Sequence, residues 1–104
     1  VHHLTAPQLA TYLESNKPLL LDVREPWEYR LCHIDGSRHI PMRHIPEIID
    51  QLPADEDIIV ICHHGIRSRA VCHYLEQQGF SSTINLTGGV DAWARQVDTS
   101  MQTY

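Results

Sequence analysis

The sequence predicts an α/β fold, and three observations carry that prediction. Two apolar runs of strand length, "PLLLDV" and "DIIVIC", are continuous where a half-exposed strand would alternate, as in strands buried on both faces. Segments with helical spacing separate the strand-like ones, so the two signals alternate along the chain. Turn-forming residues stand at junctions, among them Asp35-Gly36, Gly79 and Gly88-Gly89. Right-handed crossovers then lay the strands parallel in one sheet with helices on both faces.

The elements follow in order. Thr5 is suited to cap a helix beginning near Ala6, with Gln8 as its capping-box partner and Leu4 placed to staple against Leu9. His2 and His3, ahead of that cap, read as a mobile terminus. Leu19 to Val23 form the first buried strand, and Pro26 suits the first turn of a short helix through Trp27 and Tyr29. A short strand is expected around Arg38 to Ile40. In "IPEIIDQL", Ile45, Ile48, Ile49 and Leu52 fall at i, i+3, i+4 and i+7, the stripe of one amphipathic helix. "DIIVI" is the second buried strand. A helix from about Ser68 places Val71, Tyr74, Leu75 and Gln78 on one face, with Gly79 positioned to end it. "STINL" is a further strand, and Val90, Trp93, Ala94 and Val97 repeat the helical stripe. Trp27 and Trp93 are both expected in the core. From about residue 98 the tail shows no period. The 104 residues make one domain, 1–104, with enough chain for a single core.

Bulk properties narrow the function. A net charge of −5 without any cluster of Lys and Arg speaks against nucleic acid. The apolar runs are too short to span a bilayer, so no membrane association is expected. Cys32, Cys62 and Cys72 are odd in number and lack framework spacing, which fits reduced thiols and a cytoplasmic location. No signal peptide is visible in "VHHLTAPQLATYLESN".

The chemistry concentrates in "CHHGIRS". Cys62 directly follows a buried strand, where open α/β sheets build their sites. The amides of residues 63 to 68 can converge on its sulfur, and such dipoles favour an anion. With Arg67 they are expected to bring the thiol below its free pKa of about 8.5. Gly65 permits the positive φ of a tight cradle. A cysteine at the end of an apolar strand is otherwise a small buried hydrophobe, but such a residue needs neither the glycine nor the arginine.

These residues resemble the rhodanese-like sulfurtransferases over nearly the whole chain. "LLLDVREPWEYRLCHIDGS" resembles that family's N-terminal signature, with Tyr29, His33-Ile34 and Gly36 in place. "CHHGIRS" is similar to its six-residue active-site loop, Cys62 to Arg67, and "NLTGGVDAW" to its closing motif through Gly88, Gly89 and Trp93. The resemblance implies a three-layer fold around a mostly parallel five-stranded sheet. It implies Cys62 as the catalytic nucleophile that takes a sulfane sulfur as a persulfide and passes it on, with ping-pong kinetics. His63, His64, Gly65, Ile66, Arg67 and Ser68 would form the substrate-binding loop, with Arg67 orienting an anionic donor. The donor would be thiosulfate or a low-molecular-weight or protein persulfide. The acceptor would be cyanide or a thiol, thioredoxin included. No metal or organic cofactor is required. Asp22 and Arg24 stand at the same sheet edge, either bracing the loop, as likeness and topology suggest, or as an ordinary strand-end ion pair.

The chain departs from many relatives in carrying His63 and His64 after the cysteine. Neutral imidazoles offer an anionic donor less charge than arginine does, though their charge can rise below about pH 6.5. Three rival readings fit the loop less well. Phosphatases and arsenate reductase-like enzymes place their arginine one position further from the cysteine than the five steps seen here. A noncatalytic docking module would not need Cys62, Gly65 and Arg67 together. A metal site on Cys62, His63 and His64 lacks ligand pairs at usable spacing. Cys72, ten residues on, is expected to pack and not to resolve Cys62.

Overall fold

The computed structural model describes residues 1–104. Five strands pair in parallel throughout: β1 (His2–Leu4), β2 (Leu19–Asp22), β3 (Arg38–His39), β4 (Ile58–Ile61) and β5 (Thr83–Leu86), in the order β1-β5-β4-β2-β3. Five α-helices accompany them: α1 (Ala6–Tyr12), α2 (Pro26–Leu31), α3 (Ile45–Ile48), α4 (Ile66–Gln77) and α5 (Gly89–Gln96). Parallel pairing brings every strand's carboxyl end to one edge of the sheet.

The continuous apolar runs have the cause expected of them. Along β4, Ile58, Val60 and the following Cys62 pack on one face with Val71, Cys72 and Leu75 of α4 and Ile45 of α3. Ile59 and Ile61 point the other way, onto Ala6 and Leu9 of α1 and Val90 and Trp93 of α5. Both faces of the central strand are thereby buried. At the α1 entry, the Thr5 hydroxyl accepts the Gln8 amide and the Gln8 side chain accepts the Thr5 amide, the expected capping box.

Four expectations need correction. His2 and His3 are not a mobile terminus: His2–Leu4 pairs in register with Ile84–Leu86 as an edge strand. Three residues are too few to show a period, and their partner lies at the other end of the chain. The stripe from Ile45 to Leu52 is not one helix. A 3-10 turn (Met42–His44), α3 and a second 3-10 turn (Ile49–Gln51) follow one another, and Leu52 is extended because Pro53 succeeds it. Helix α4 starts at Ile66, ahead of Ser68, because Gly65 takes the cap position. Trp27 is 56% exposed, so only Trp93 lies in the core.

Leu21 is fully enclosed between β3, β4 and the α3–α4 layer. Leu21→Ala is expected to lower unfolding stability by about 3 kcal/mol, read as a shift of the urea midpoint at unchanged slope.

Candidate active site

Cys62 stands where β4 ends, its side chain 1% exposed. Gly65, with φ +95°, reverses the chain into α4 so that two amides turn back on the sulfur. Gly65 N–H donates to Sγ at 3.0 Å and Ser68 N–H at 3.3 Å. These are two of the amides expected to converge; those of Ile66 and Arg67, in the first turn of α4, find no acceptor in the chain. The Cys62 thiol donates to Ser68 Oγ at 3.2 Å, and the Ser68 hydroxyl donates to Asn85 Oδ1 at 2.5 Å. Asn85 Nδ2 in turn donates to the Gly65 carbonyl at 3.2 Å. A polar side chain of β5 thus ties down both ends of the turn.

Helix α5 secures the loop from behind. Val90 N–H donates to the Cys62 carbonyl at 2.9 Å and Asp91 N–H to the His63 carbonyl at 3.1 Å. The backbones approach so closely that a Cβ on Gly89 would lie 2.3 Å from both of those carbonyl oxygens. The closing "TGG" is therefore a seat for the loop as well as a turn.

Arg67 does not stand alone as a free cation. Its Nη1 and Nη2 donate to the two carboxylate oxygens of Glu28 at 2.7 and 2.9 Å, a bidentate pair joining α4 to α2. That bond, ahead of the opposing effect of burial, raises the Arg67 pKa, and the nearby Cys62 adds to it. Glu28 is itself buried, and Arg67 holds its carboxyl down at about 2 against the adverse effect of burial. Glu28 Oε1 also accepts the Glu25 amide at 3.0 Å, and Oε2 accepts the Tyr104 hydroxyl at 2.7 Å.

Asp22 and Arg24 form a fully buried ion pair at 2.7 Å. Arg24 reaches the carbonyls of Cys32 and Glu28 and the Tyr104 hydroxyl, and makes no bond to residues 62 to 68. The pair does not touch the loop; its contacts run to the end of α2 and to Tyr104, whose ring lies against His63. Burial pulls the Arg24 pKa down, but Asp22 more than offsets this and the net shift is upward.

His63 lies with its ring stacked on Tyr104, centroids 3.9 Å apart and planes 7° from parallel. Its Nε2 is buried without a hydrogen-bond partner. Burial, with the adjacent His64, lowers its pKa, so His63 takes up positive charge less readily than a free imidazole. His64 and Ile66 are exposed, and with His3, Arg69, Asn85, Thr87 and the backbone of Gly65 and Gly88 they line a hollow of about 200 Å³. A larger hollow, about 380 Å³, lies at the opposite sheet edge around Asn16 to Pro18 and Asp55 to Asp57, away from the cysteine. Cys72 is fully buried, and burial pushes its thiol up to about 12, which suits packing. Cys32 accepts from Arg24 through its carbonyl at 2.7 Å and through Sγ at 3.8 Å, which suits a packing role.

Three residues of the site escaped the sequence reading. Asn85 left a signal, a lone amide inside the apolar strand "TINL". Glu28 left a weak one, since it sits three residues after Glu25 in a capping box. Tyr104 left none.

Two outcomes are expected. Gly89→Ala should displace the Cys62–His63 backbone, costing about 3 kcal/mol in denaturant unfolding. Because the Glu28 pKa is lowered from 4.5 to about 2 in the fold, its contribution is complete above pH 4.5 and is lost as pH falls towards 2. Acid titration of stability should show a fall across that window that is larger by about 3 kcal/mol in the wild type than in Glu28→Gln, where the other depressed carboxylates, Asp57 and Asp91, still contribute.

Known proteins share both sequence and shape with this chain. The rhodanese-like domain family matches residues 5–96. The thiosulfate sulfurtransferase GlpE of Pseudomonas paraeruginosa is 39% identical over 88 residues, 85% of this chain and 80% of that protein. A sulfurtransferase of Allochromatium vinosum is 42% identical over 77 residues, covering 74% of this chain and 72% of its own. The crystal structure of a rhodanese-like domain protein from Staphylococcus aureus superposes with a TM-score of 0.85 at 30% identity, covering 100% of this chain and 99% of that one. With the parallel order β1-β5-β4-β2-β3 and the cysteine loop between β4 and α4, these matches place the chain in the rhodanese-like family.

Proposed function

We propose that this protein is a sulfurtransferase that carries a sulfane sulfur on Cys62. The observation that supports the reading best is the seating of Sγ at the start of α4, where the amides of Gly65 and Ser68 already donate to it and the two between them, of Ile66 and Arg67, have no acceptor. In the first half-reaction the Cys62 thiolate attacks the outer sulfur of thiosulfate. The S–S bond breaks, sulfite leaves with its electron pair, and Cys62 holds a persulfide anion. In the second, a thiol or cyanide attacks the terminal sulfur and the thiolate is restored. The open amides of Ile66 and Arg67 suit the extra sulfur, which brings one more anionic atom to the same helix end. Neither half-reaction calls for a metal or organic cofactor.

Thiosulfate is the donor we favour, on the names carried by the relatives and on Arg67 beside the loop. A protein-borne persulfide is the second donor class, and a small thiol or thioredoxin the acceptor in place of cyanide. The three cysteines are unpaired, no helix is long and apolar enough to cross a membrane, and both facts suit work in the reducing cytoplasm.

The test is the intact mass of reduced protein after exposure to thiosulfate and then to cyanide. A gain of one sulfur, removed by cyanide and absent in Cys62→Ser, is the expected result. A protein that gains no sulfur from thiosulfate or from a desulfurase persulfide would overturn the reading and leave a docking role for the fold.

A further inference from the structure

The geometry points to Tyr104 as a positioning residue, one that aims Arg67 at an anionic donor by fixing Glu28. Tyr104 lies in the irregular segment after α5, yet it is held from three sides. Its hydroxyl accepts from Arg24 Nη1 at 2.9 Å and donates to Glu28 Oε2 at 2.7 Å. Its ring lies flat on His63 of the cysteine loop and meets Trp27 edge-on at 5.6 Å. One side chain therefore touches the buried ion pair at the end of β2, the carboxylate of α2 and the loop itself.

The chain of dependence is short. A guanidinium has five N–H donors, and Glu28 takes one from each terminal nitrogen of Arg67. The remaining donors stay free, pointing wherever the carboxylate plane sets the guanidinium. That plane is defined on Oε1 by the Glu25 amide and on Oε2 by the Tyr104 hydroxyl. Without the hydroxyl, Oε2 keeps only Arg67, Arg24 Nη1 loses a partner, and the carboxylate, fixed then by the Glu25 amide alone, can turn and carry the Arg67 guanidinium with it. Burial raises the Tyr104 pKa, so the hydroxyl keeps its proton for Glu28 across neutral pH.

This inference rests on the sulfurtransferase reading for the identity of the anion, and its test does not need turnover. Cys62 is alkylated with iodoacetate, which is anionic, and with iodoacetamide, which is neutral, and the rates are resolved by peptide mass. Their ratio reports how well positive charge is aimed at the sulfur, and general loosening of the fold moves both rates together. Tyr104→Phe keeps the ring on His63 and loses only the hydroxyl. It is expected to lower the ratio by about fivefold, roughly the worth of one hydrogen bond, and Arg67→Ala to lower it at least as far. In steady state, Tyr104→Phe should raise KM for thiosulfate by a similar factor with little change in kcat.

An unchanged ratio in Tyr104→Phe beside a lowered one in Arg67→Ala overturns the role of Tyr104. An unchanged ratio in both overturns it as well, since no charge is then being aimed. A wild type that forms no persulfide, while the ratios still fall as described, sinks the enzymatic reading and supports the positioning role.

Discussion

A guanidinium with no exposed surface organises this end of the molecule. An unpaired cation at the depth of Arg24 would be prohibitively unstable, so each of its donors needs an acceptor. Asp22 supplies the opposite charge from the last residue of β2, held both by the Arg24 side chain and by its amide. The carbonyls of Glu28 and Cys32 take two further donors, which fixes where α2 stops. His39 closes the other side, its Nε2 donating to the Arg24 carbonyl at 2.7 Å while its ring stacks on Tyr29. A strand end, a helix end and a short edge strand thus meet on one residue.

The cysteine loop depends on neighbours of a different kind. Its sulfur is held by its own backbone, but that backbone is held by β5 and α5. Asn85 reaches from the strand beside β4 to Ser68 and Gly65, and the first amides of α5 bond the carbonyls of Cys62 and His63. Parallel pairing makes this possible, because it brings the ends of β4 and β5 and the starts of α4 and α5 to one edge. Arg67 then links the loop to the Arg24 cluster through Glu28. The Cys62 cradle and the buried cation are thereby joined across the sheet edge, through the backbone at Arg67 and the hydrogen bonds of Glu28 and Tyr104.

Local rules were legible where a residue's role depends on near neighbours. The Thr5 capping box, the buried runs at β2 and β4, the glycine reversal at Gly65 and the stripe of α5 all follow from spacing over a few positions. The rule failed at Ile45 to Leu52 because hydrophobic period reports which face is buried and says nothing about whether the backbone keeps α geometry: the chain tightens to a 3-10 turn after Ile48, and Pro53 holds Leu52 extended. It failed at Trp27 for a related reason: an aromatic on a short helix carries no mark of whether its neighbour is core or a distant tyrosine. Asp22 and Arg24 were visible as a pair, but their distance from the loop was not.

By itself, then, the sequence determined the alternation of elements, the two-sided burial of the central strands and the cysteine at a strand's carboxyl end followed by glycine and arginine. Those properties are written in local periodicity and in backbone permissions, which need no knowledge of distant chain. Tertiary structure alone decided that His2–Leu4 is a strand, that Glu28 engages Arg67, that Asn85 braces the loop and that Tyr104 lies on His63. Each of these is a contact between segments remote in sequence: a three-residue backbone pairing in the first case, a single polar or aromatic side chain in the others. Such contacts leave no period, and they exist only once the sheet has brought its carboxyl ends together.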